Sequence, residues 1–366
     1  MAPWYRRPGQ GERVIASSGT SGHPKPIPWS RQEDSWYIGE KQALFAAWSA
    51  GCSRGLVSLA VGHNAGSAAE LLERLGLQVR DLGLSSSDVQ ADQLCAFAPE
   101  LLYVSPSILS HLVDLMARTG RRPRSVRRVI TNGELLLPSV RARFEDFFGI
   151  ERAALMDTYG STEIGTISFS CGACGAYHLL NGLYPEPAPA GFSDAFRVAG
   201  VGASALVVSS VKRTTFPVVR FVTYDVVQGL RRDVCTGRSR FTFDRILGRC
   251  DDVLTYGELF SPYPLADIIA RRLPTARWFA FNPANDLSVV IEGSEPEGFL
   301  DDLRALYPTH ARLNDLGLID PPDITFVRNF DEFVARAGLP ATRAGKDVRH
   351  VVRQALDPAW IPEARP

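Results

Sequence analysis

The chain contains 366 residues, long enough to bury a large core and to form more than one domain. Hydrophobic residues make up 45% of it and charged residues 22%, as in globular proteins. The formal net charge is zero, which argues against a nucleic-acid partner or an anionic membrane surface. The sequence has no apolar run of about 18 residues and no apolar signal core at its start, so we predict a cytoplasmic protein without a membrane span.

The first half of the chain alternates predicted helices and strands. In chain order these are helix 31–55, strand 56–61, helix 68–75, strand 101–104, helix 106–118, strand 126–131 and helix 138–148. Such alternation predicts an α/β domain with a largely parallel sheet. Ligands of such sheets bind beyond the carboxyl ends of the strands, where loops are predicted at 62–67, 132–134 and 157–163.

The second half changes character after short β-runs between 198 and 228. A compact α+β unit follows, with predicted helices at 263–272 and 296–307 and strands at 278–281, 287–292 and 324–327. We therefore predict a large α/β domain over 1–248 and a smaller α+β domain over 249–366, joined by a hinge.

A segment rich in glycine and hydroxyl side chains follows the apolar run 14–16. Its glycines let backbone N–H groups converge on an anion, its hydroxyls add donors, and Lys25 brings a mobile positive charge. The spacing differs from a Walker A loop, and Pro24 prevents a helix from running straight out of the segment. A Ser/Gly-rich turn without a ligand is the alternative to a phosphate loop. The loop residues are Ser17, Ser18, Gly19, Thr20, Ser21 and Gly22.

Two carboxylates lie at predicted strand ends. Asp157 opens a polar segment after the strand 153–156, and a carboxylate beside hydroxyls can hold Mg²⁺ against a phosphate. The alternative is a solvated loop. Asp225 closes a strand and is either a ligand or the cap of a turn.

A cysteine and histidine cluster has metal-ligand spacing. Cys171, Cys174 and His178 follow the pattern C-x2-C-x3-H, and Cys235 lies downstream. Together they would satisfy a tetrahedral Zn²⁺ site, which would be structural because four protein ligands leave no open position. The alternative is a set of reduced thiols beside a surface histidine.

Several motifs resemble those of the adenylate-forming superfamily, which includes acyl-CoA ligases, peptide-synthetase adenylation domains and luciferases. Ser-Ser-Gly-Thr-Ser-Gly-His-Pro-Lys at 17–25 is similar to its phosphate loop, and Tyr-Gly-Ser-Thr-Glu at 159–163 to its adenine and magnesium signature. Gly-Arg-Cys-Asp-Asp at 248–252 and Gly-Lys at 345–346 resemble its hinge and last motif. The motifs cover nearly the whole chain in the superfamily's order, and the phenylacetate–CoA ligase branch is the most similar. Members usually begin well upstream of the phosphate loop, so we expect a shortened version, with a homodimer left open.

The resemblance implies roles around ATP and Mg²⁺. Tyr159 would lie against the adenine, Thr162 would contact a phosphate and Glu163 would ligate Mg²⁺. Further cofactor-binding residues implied by the motifs are Asn132, Gly133, Glu134, Asp157, Gly160, Asp225 and Arg249, the last two at the ribose. Tyr224 stands where the superfamily has glycine.

The resemblance also implies roles for the small domain and the metal cluster. Asp251 would be the hinge, and Lys346 would bridge the substrate carboxylate and the ATP phosphate, with Lys25 as a second catalytic lysine. Phenylacetate–CoA ligase relatives often carry a Cys/His cluster in this place, although Thr236 replaces a cysteine expected there.

These observations predict ATP-dependent activation of a carboxylic acid as an acyl-adenylate, followed by transfer to the thiol of coenzyme A. Transfer to a carrier-protein phosphopantetheine, or to an amine in natural-product biosynthesis, stays an alternative, as does a non-catalytic nucleotide-binding relative. The acid pocket would involve His63, Asn64 and Gly165. No lysine or arginine is obviously placed to pair with a second substrate charge, which favours an aryl or small hydrophobic acid.

Overall fold

A computed structural model describes residues 12–16, 25–59, 63–83, 85–188, 202–235, 238–250, 254–256, 258–281, 287–336, 342–343, 346–347 and 350–352. Within these ranges no helix is long and apolar enough to cross a membrane.

The helices are α1 Arg31–Trp48, α2 His63–Arg74, α3 Ser87–Phe97, α4 Pro106–Arg118, α5 Pro138–Phe148, α6 Pro262–Arg272, α7 Phe299–Leu306, α8 Pro308–Asp315 and α9 Phe330–Arg336. The strands are β1 Glu12–Ala16, β2 Pro26–Ser30, β3 Arg54–Ser58, β4 Gln78–Asp81, β5 Leu101–Val104, β6 Arg128–Asn132, β7 Leu155–Ser161, β8 Gly165–Ser170, β9 Tyr177–Leu179, β10 Leu183–Pro187, β11 Ala203–Ser210, β12 Phe221–Gln228, β13 Arg231–Cys235, β14 Arg238–Phe243, β15 Arg245–Arg249, β16 Leu254–Tyr256, β17 Glu258–Phe260, β18 Trp278–Phe281, β19 Ser288–Glu292, β20 Asp323–Val327, β21 Thr342–Arg343, β22 Lys346–Asp347 and β23 His350–Val352.

A nine-stranded sheet organises the first half of the chain, in the order β13-β14-β9-β8-β7-β6-β5-β3-β4. Strands β3 to β7 pair in parallel, and the strands from β8 onward add antiparallel pairs. The predicted α/β domain is therefore confirmed, but only the five strands from β3 to β7 form the predicted parallel sheet. The antiparallel extension was not predicted, because its short strands show little regular alternation.

The sheet is buried on both faces, as parallel sheets are. Neighbouring residues along a strand point to opposite faces. Thus Val57 and Tyr103 join the core beneath α1 and α2, whereas Leu56 and Leu102 pack with α3, α4 and α5. Both cores therefore depend on the central strands.

Element boundaries differ from the sequence predictions at several points. The first helix ends at Trp48 rather than at 55, because Gly51 turns the chain with a φ of 81° and β3 starts at Arg54. The predicted loop at 62–67 is wrong from His63 onward, where α2 begins.

A second, four-stranded sheet runs in the order β10-β11-β12-β15. The C-terminal unit has its own four-stranded sheet, β20-β19-β18-β23, whose core includes residues of α6 and α7. The predicted hairpin at 278–292 is confirmed by the antiparallel pairing of β18 with β19.

Helix α6 of this unit also contacts α5. The Asp267 carboxylate accepts hydrogen bonds from the backbone N–H and the hydroxyl of Ser139, at 3.0 and 2.8 Å, in the first turn of α5. One predicted domain thus caps a helix of the other.

Candidate functional site

Three predicted nucleotide-binding residues meet where the two sheets adjoin. Tyr159 on β7 donates its hydroxyl hydrogen to Asp225 on β12, with 2.6 Å between the oxygens. The other oxygen of Asp225 lies 3.4 Å from the Arg249 guanidinium on β15. The side chains of Asp225 and Arg249 are 19% and 31% exposed, so both can still be reached by a ligand.

A backbone irregularity positions Asp225. Val207 pairs with Val222 and Ala205 with Val226, so the chain from Thr223 to Asp225 bulges opposite Leu206. The bulge places Asp225 directly across from Arg249 in the β12–β15 pairing.

Tyr224, in the middle of this bulge, has a φ of 63°. A left-handed backbone costs about 1–2 kcal/mol for a residue with a Cβ. The Cys250 thiol donates to the carbonyl of Tyr224 at 3.1 Å and helps to hold it. The substitution of tyrosine for glycine is therefore accommodated without loss of the turn.

The turn carrying Thr162 and Glu163 is held by its backbone. The Trp29 indole N–H donates to the Thr162 carbonyl at 3.2 Å, and Arg213 Nε donates to the Glu163 carbonyl at 2.8 Å. These contacts leave both side chains available to a ligand.

Arg213 is itself buried at the centre of this support. It pairs with Glu33 at 2.6 Å, and its guanidinium lies 3.7 Å from the centre of the Trp29 ring. Glu33 also belongs to the capping box of α1 with Ser30. Sequence reasoning missed Arg213, although the Ser-x-x-Glu capping signature at 30–33 was readable.

Two glycines allow β7 and β8 to approach closely at this turn. A Cβ added to Gly160 would overlap the carbonyl oxygen of Gly165. Gly165 has a φ of 87°, and a Cβ there would lie 2.8 Å from the Tyr37 ring. Larger residues at either position would displace the turn.

Three predicted cofactor residues follow or lie in the central strands. Asn132 is buried and donates to the carbonyl and hydroxyl oxygens of Thr158, at 3.0 and 2.9 Å. Gly133 has a φ of 89°, and Glu134 accepts hydrogen bonds from Ser107 in the first turn of α4. These contacts fix the end of β6 beside β7.

Asp157 lies inside β7, so the predicted loop at 157–163 is wrong up to Ser161. Its buried carboxylate accepts from the Thr131 hydroxyl at 2.5 Å and the Tyr177 hydroxyl at 2.6 Å. Burial raises the pKa of Asp157 to about 6, although both hydroxyls oppose the shift. The side chain is thus occupied by protein groups, and its role at the cofactor stays a prediction.

Other predicted residues are only partly placed. Lys25 is exposed at the start of β2, the backbone of His63 and Asn64 lies in the first turn of α2, and Lys346 lies in β22. The positions outside the described residues are Ser17, Ser18, Gly19, Thr20, Ser21, Gly22 and Asp251.

The Cys/His cluster comes together as predicted. The ligand atoms of Cys171, Cys174, His178 and Cys235 all lie within 4.8 Å of one another. The sulfurs of Cys171 and Cys235 are 3.8 Å apart, and the Cys174 sulfur is 3.0 Å from His178 Nε2. A tetrahedral Zn²⁺ site has ligand–ligand edges of about 3.5–3.8 Å. The donor set fits that ion, and the 3.8 Å between the two sulfurs matches those edges, whereas the 3.0 Å contact between Cys174 and His178 is shorter.

Local electrostatics favour the metal-binding forms of two of the four residues, His178 and Cys171. Burial, assisted by Arg240, lowers the pKa of His178 and favours the neutral imidazole. Burial opposes ionisation of Cys171, but hydrogen bonds from the backbone N–H groups of Cys174 and Ala173 prevail and lower the pKa of its thiol.

Comparison with known proteins gives one family and several relatives. The AMP-binding enzyme family matches residues 14–189. The fumarate–(S)-2,3-diaminopropanoate ligase of Enterobacter agglomerans is 28% identical over 319 residues, covering 85% of this chain and 80% of that protein. The phenylacetate–coenzyme A ligase of Escherichia coli K12 is 26% identical over 254 residues, covering 66% of this chain. The alignment spans only 56% of that ligase.

Solved structures share the fold. A 2-hydroxyisobutyryl-CoA ligase bound to an acyl-AMP superposes with a TM-score of 0.69 at 19% identity, covering 96% of this chain and 75% of the other. The amide bond synthetase McbA from Marinactinospora thermotolerans superposes with a TM-score of 0.62 at 18% identity, covering 94% and 69%.

Proposed function

Residues 14–189 match the AMP-binding enzyme family, and we propose that the chain is an adenylate-forming enzyme that activates a carboxylic acid with ATP as an acyl-adenylate. The observation that carries the proposal is the cluster of Tyr159, Asp225 and Arg249, three residues from separate strands. Asp225 has one oxygen toward each neighbour, and vicinal ribose hydroxyls could replace the Tyr159 hydroxyl as donors to it. Tyr159 would then be released to lie along the adenine.

The phosphate side of the site is proposed from the same turn. Glu163 would ligate Mg²⁺ and Thr162 would contact the α-phosphate, while the backbone beneath them is fixed by Trp29 and Arg213. Residues 17–22 and Lys25 would surround the outer phosphates, and Asn132, Gly133, Glu134, Asp157 and Gly160 would form or support the adenine wall.

The chemistry explains why these groups are needed. A carboxylate oxygen attacks the α-phosphorus of ATP, the bond from that phosphorus to the oxygen bridging the α- and β-phosphates breaks, and pyrophosphate leaves. Negative charge concentrates at the α-phosphate as this happens, so fixed positive groups lower the barrier. Lys346 would supply that charge from the small domain, which would then rotate about Asp251 to admit the acceptor.

The acceptor attacks the acyl carbon and AMP leaves. An amine acceptor is supported by the likeness to the fumarate–(S)-2,3-diaminopropanoate ligase, since that alignment spans most of both chains. Coenzyme A, predicted from the sequence, is the second candidate, supported by the phenylacetate–coenzyme A ligases of which this chain spans about half. The thiol of a carrier-protein phosphopantetheine is the third candidate acceptor.

We further propose that Cys171, Cys174, His178 and Cys235 bind a structural Zn²⁺ ion. The ion would supply cross-links between the loop after β8, strand β9 and the end of β13. No step of the reaction would pass through it, because all four positions would be filled.

The experiment is pyrophosphate release with ATP, Mg²⁺ and a panel of aryl, short-chain and dicarboxylic acids. Release that depends on the acid supports adenylation, and release with no acid in the panel contradicts it. Adding coenzyme A or 2,3-diaminopropanoate, and analysing the product by mass spectrometry, then identifies the acceptor.

The variant Lys346→Ala tests whether Lys346 acts in adenylation but not in acyl transfer. Lys212→Ala is the control. We expect Lys346→Ala to lose adenylation while keeping transfer from a preformed acyl-adenylate. An equal fall in both half-reactions would contradict this role for Lys346.

A further inference from the structure

A buried lysine bonds to Tyr37, whose ring packs against Gly165, one of the residues predicted at the acid pocket. Lys41 of α1 is 1% exposed. Its ammonium donates to the hydroxyls of Tyr37 at 3.2 Å and Tyr103 at 3.0 Å, and it also lies against both rings. Among the residues that the structure describes, no carboxylate pairs with it.

An ammonium taken out of water without a counter-charge is unfavourable, and tyrosine hydroxyls compensate for only part of the lost hydration. Burial lowers the pKa of Lys41, but the two tyrosines outweigh it, so the side chain stays charged at neutral pH. The site therefore holds positive potential that no described acidic group neutralises.

A chain of hydroxyls leads from this charge toward the predicted acid pocket. Lys41 can only donate, so the Tyr37 oxygen accepts from it, and the Tyr37 and Thr166 hydroxyls lie 2.9 Å apart. In the arrangement in which Tyr37 donates to Thr166, the Thr166 hydrogen is left for a further acceptor. Thr166 pairs with Gly160 across β7 and β8 and directly follows Gly165, and the Tyr37 ring packs against Gly165.

We propose that Lys41, through Tyr37 and Thr166, selects an acid with a second anionic group, namely a short dicarboxylic acid. The inference rests on the proposed adenylation and specifies its substrate class. The reacting carboxylate would face the α-phosphate, and the distal carboxylate would accept the hydrogen bond that ends the relay. Lys41 is thus a positioning residue, acting through the hydroxyl that touches the substrate. It also supplies the cation that sequence reasoning did not place at this pocket.

The test compares fumarate with crotonate, which has the same carbon skeleton and double-bond geometry but a methyl group in place of one carboxylate. For the wild-type chain we expect kcat/KM for pyrophosphate release to favour fumarate by at least about 100-fold, since a site built for a polar group rejects an analogue that lacks it. Phenylacetate serves as an aryl acid in the same assay.

The variant Lys41→Met keeps the side-chain volume and removes the charge. We expect it to reduce the fumarate-to-crotonate ratio to within about tenfold, mainly by raising KM for fumarate, with crotonate turnover maintained. Lys212→Met, the same change at an exposed lysine that packs on Trp36, should leave the ratio unchanged. Thr166→Val should imitate Lys41→Met, and Thr166→Ser, which keeps the hydroxyl, should retain the preference for fumarate.

Thermal melting of each variant separates specificity from folding. A wild-type preference for crotonate or phenylacetate, or an equal loss of both acids in Lys41→Met, would overturn the dicarboxylate inference while leaving adenylation intact. Release with no acid at all would overturn the proposed function and this inference with it.

Discussion

The cluster of Tyr159, Asp225 and Arg249 and the cluster of cysteines with His178 are built in opposite ways. The first is open, because Asp225 accepts hydrogen bonds from neighbours that a ligand can displace, and its members remain partly exposed. The second is closed, because its four ligand atoms converge within 4.8 Å of one another, and four is the number of ligands that a tetrahedral ion takes. The first arrangement suits binding and release, and the second suits a permanent structural link.

Strand β9 carries residues that serve both clusters. Tyr177 and His178 are consecutive on β9 and point to opposite faces of the sheet. Tyr177 stacks on Phe243, whose ring meets Tyr159 edge-on, whereas His178 turns toward the cysteines. Two adjacent residues of one strand can therefore serve different clusters, because their side chains lie on opposite faces of the sheet.

The largest loss of activity should come from a substitution in the cluster of Tyr159, Asp225 and Arg249. We expect Asp225→Ala to lower kcat/KM for adenylation by about 1,000-fold, roughly 4 kcal/mol, because the acceptor for the ribose hydroxyls is lost. Thermal stability should change little, since the carboxylate is partly exposed. Asp244→Ala removes an exposed carboxylate paired with Arg231 and is the control. Matching losses in both variants would contradict the assignment.

The second cluster should show the reverse pattern. Cys174→Ser should lose the bound metal, measured by elemental mass spectrometry, and lower the free energy of unfolding by about 3 kcal/mol, because a ligand of a structural site is removed. The kcat of the protein that stays folded should be nearly unchanged. Cys95→Ser, at an exposed cysteine, is the matched control. A wild-type chain purified without zinc would sink the metal proposal.

Asp157 lies on the same face of β7 as Tyr159, but its carboxylate is buried. We therefore expect Asp157 to affect how the free energy of unfolding depends on pH. Burial raises the folded-state pKa of Asp157 to about 6 from 3.8, so the folded chain binds the extra proton and stability falls as pH rises through that window. Asp157→Asn should abolish this loss, about 2 kcal/mol between pH 4.5 and pH 8. Denaturant unfolding at both pH values measures it, with Asp244→Asn as control. A constant difference between wild type and variant would contradict the shift.

The smallest effect concerns the link between the open cluster and the C-terminal unit. The Tyr263 hydroxyl on α6 accepts a hydrogen bond from the backbone N–H of Arg249 at 2.8 Å. Tyr263→Phe should raise KM for ATP by up to about fivefold, consistent with roughly 1 kcal/mol for one hydrogen bond. Tyr307→Phe removes a hydroxyl within the C-terminal unit, bonded to Ser261, and should leave that KM unchanged. An effect of equal size in both would remove the special role of Tyr263.

Much of this could be predicted from the sequence because the signals are local. The spacing of Cys171, Cys174 and His178 brings the ligands together through a single turn, closed by the hydrogen bonds between Cys171 and Gly175 or Ala176. The alternation of helix and strand between 31 and 148 likewise predicted the parallel sheet. Boundaries failed where glycine or strand pairing intervened, as at Gly51 and in β7.

Only the tertiary structure decided how distant residues meet. The aim of Asp225 depends on a bulge against β11, the support of Glu163 depends on a buried pair between Arg213 and Glu33, and Lys41 finds its hydroxyl partners on another helix turn and on β5. A sequence determines which side chains a short segment carries and which face each prefers. Which segments pack together is decided by the burial of the whole core, where the gain from many distant contacts outweighs the entropy of closing the loops between them.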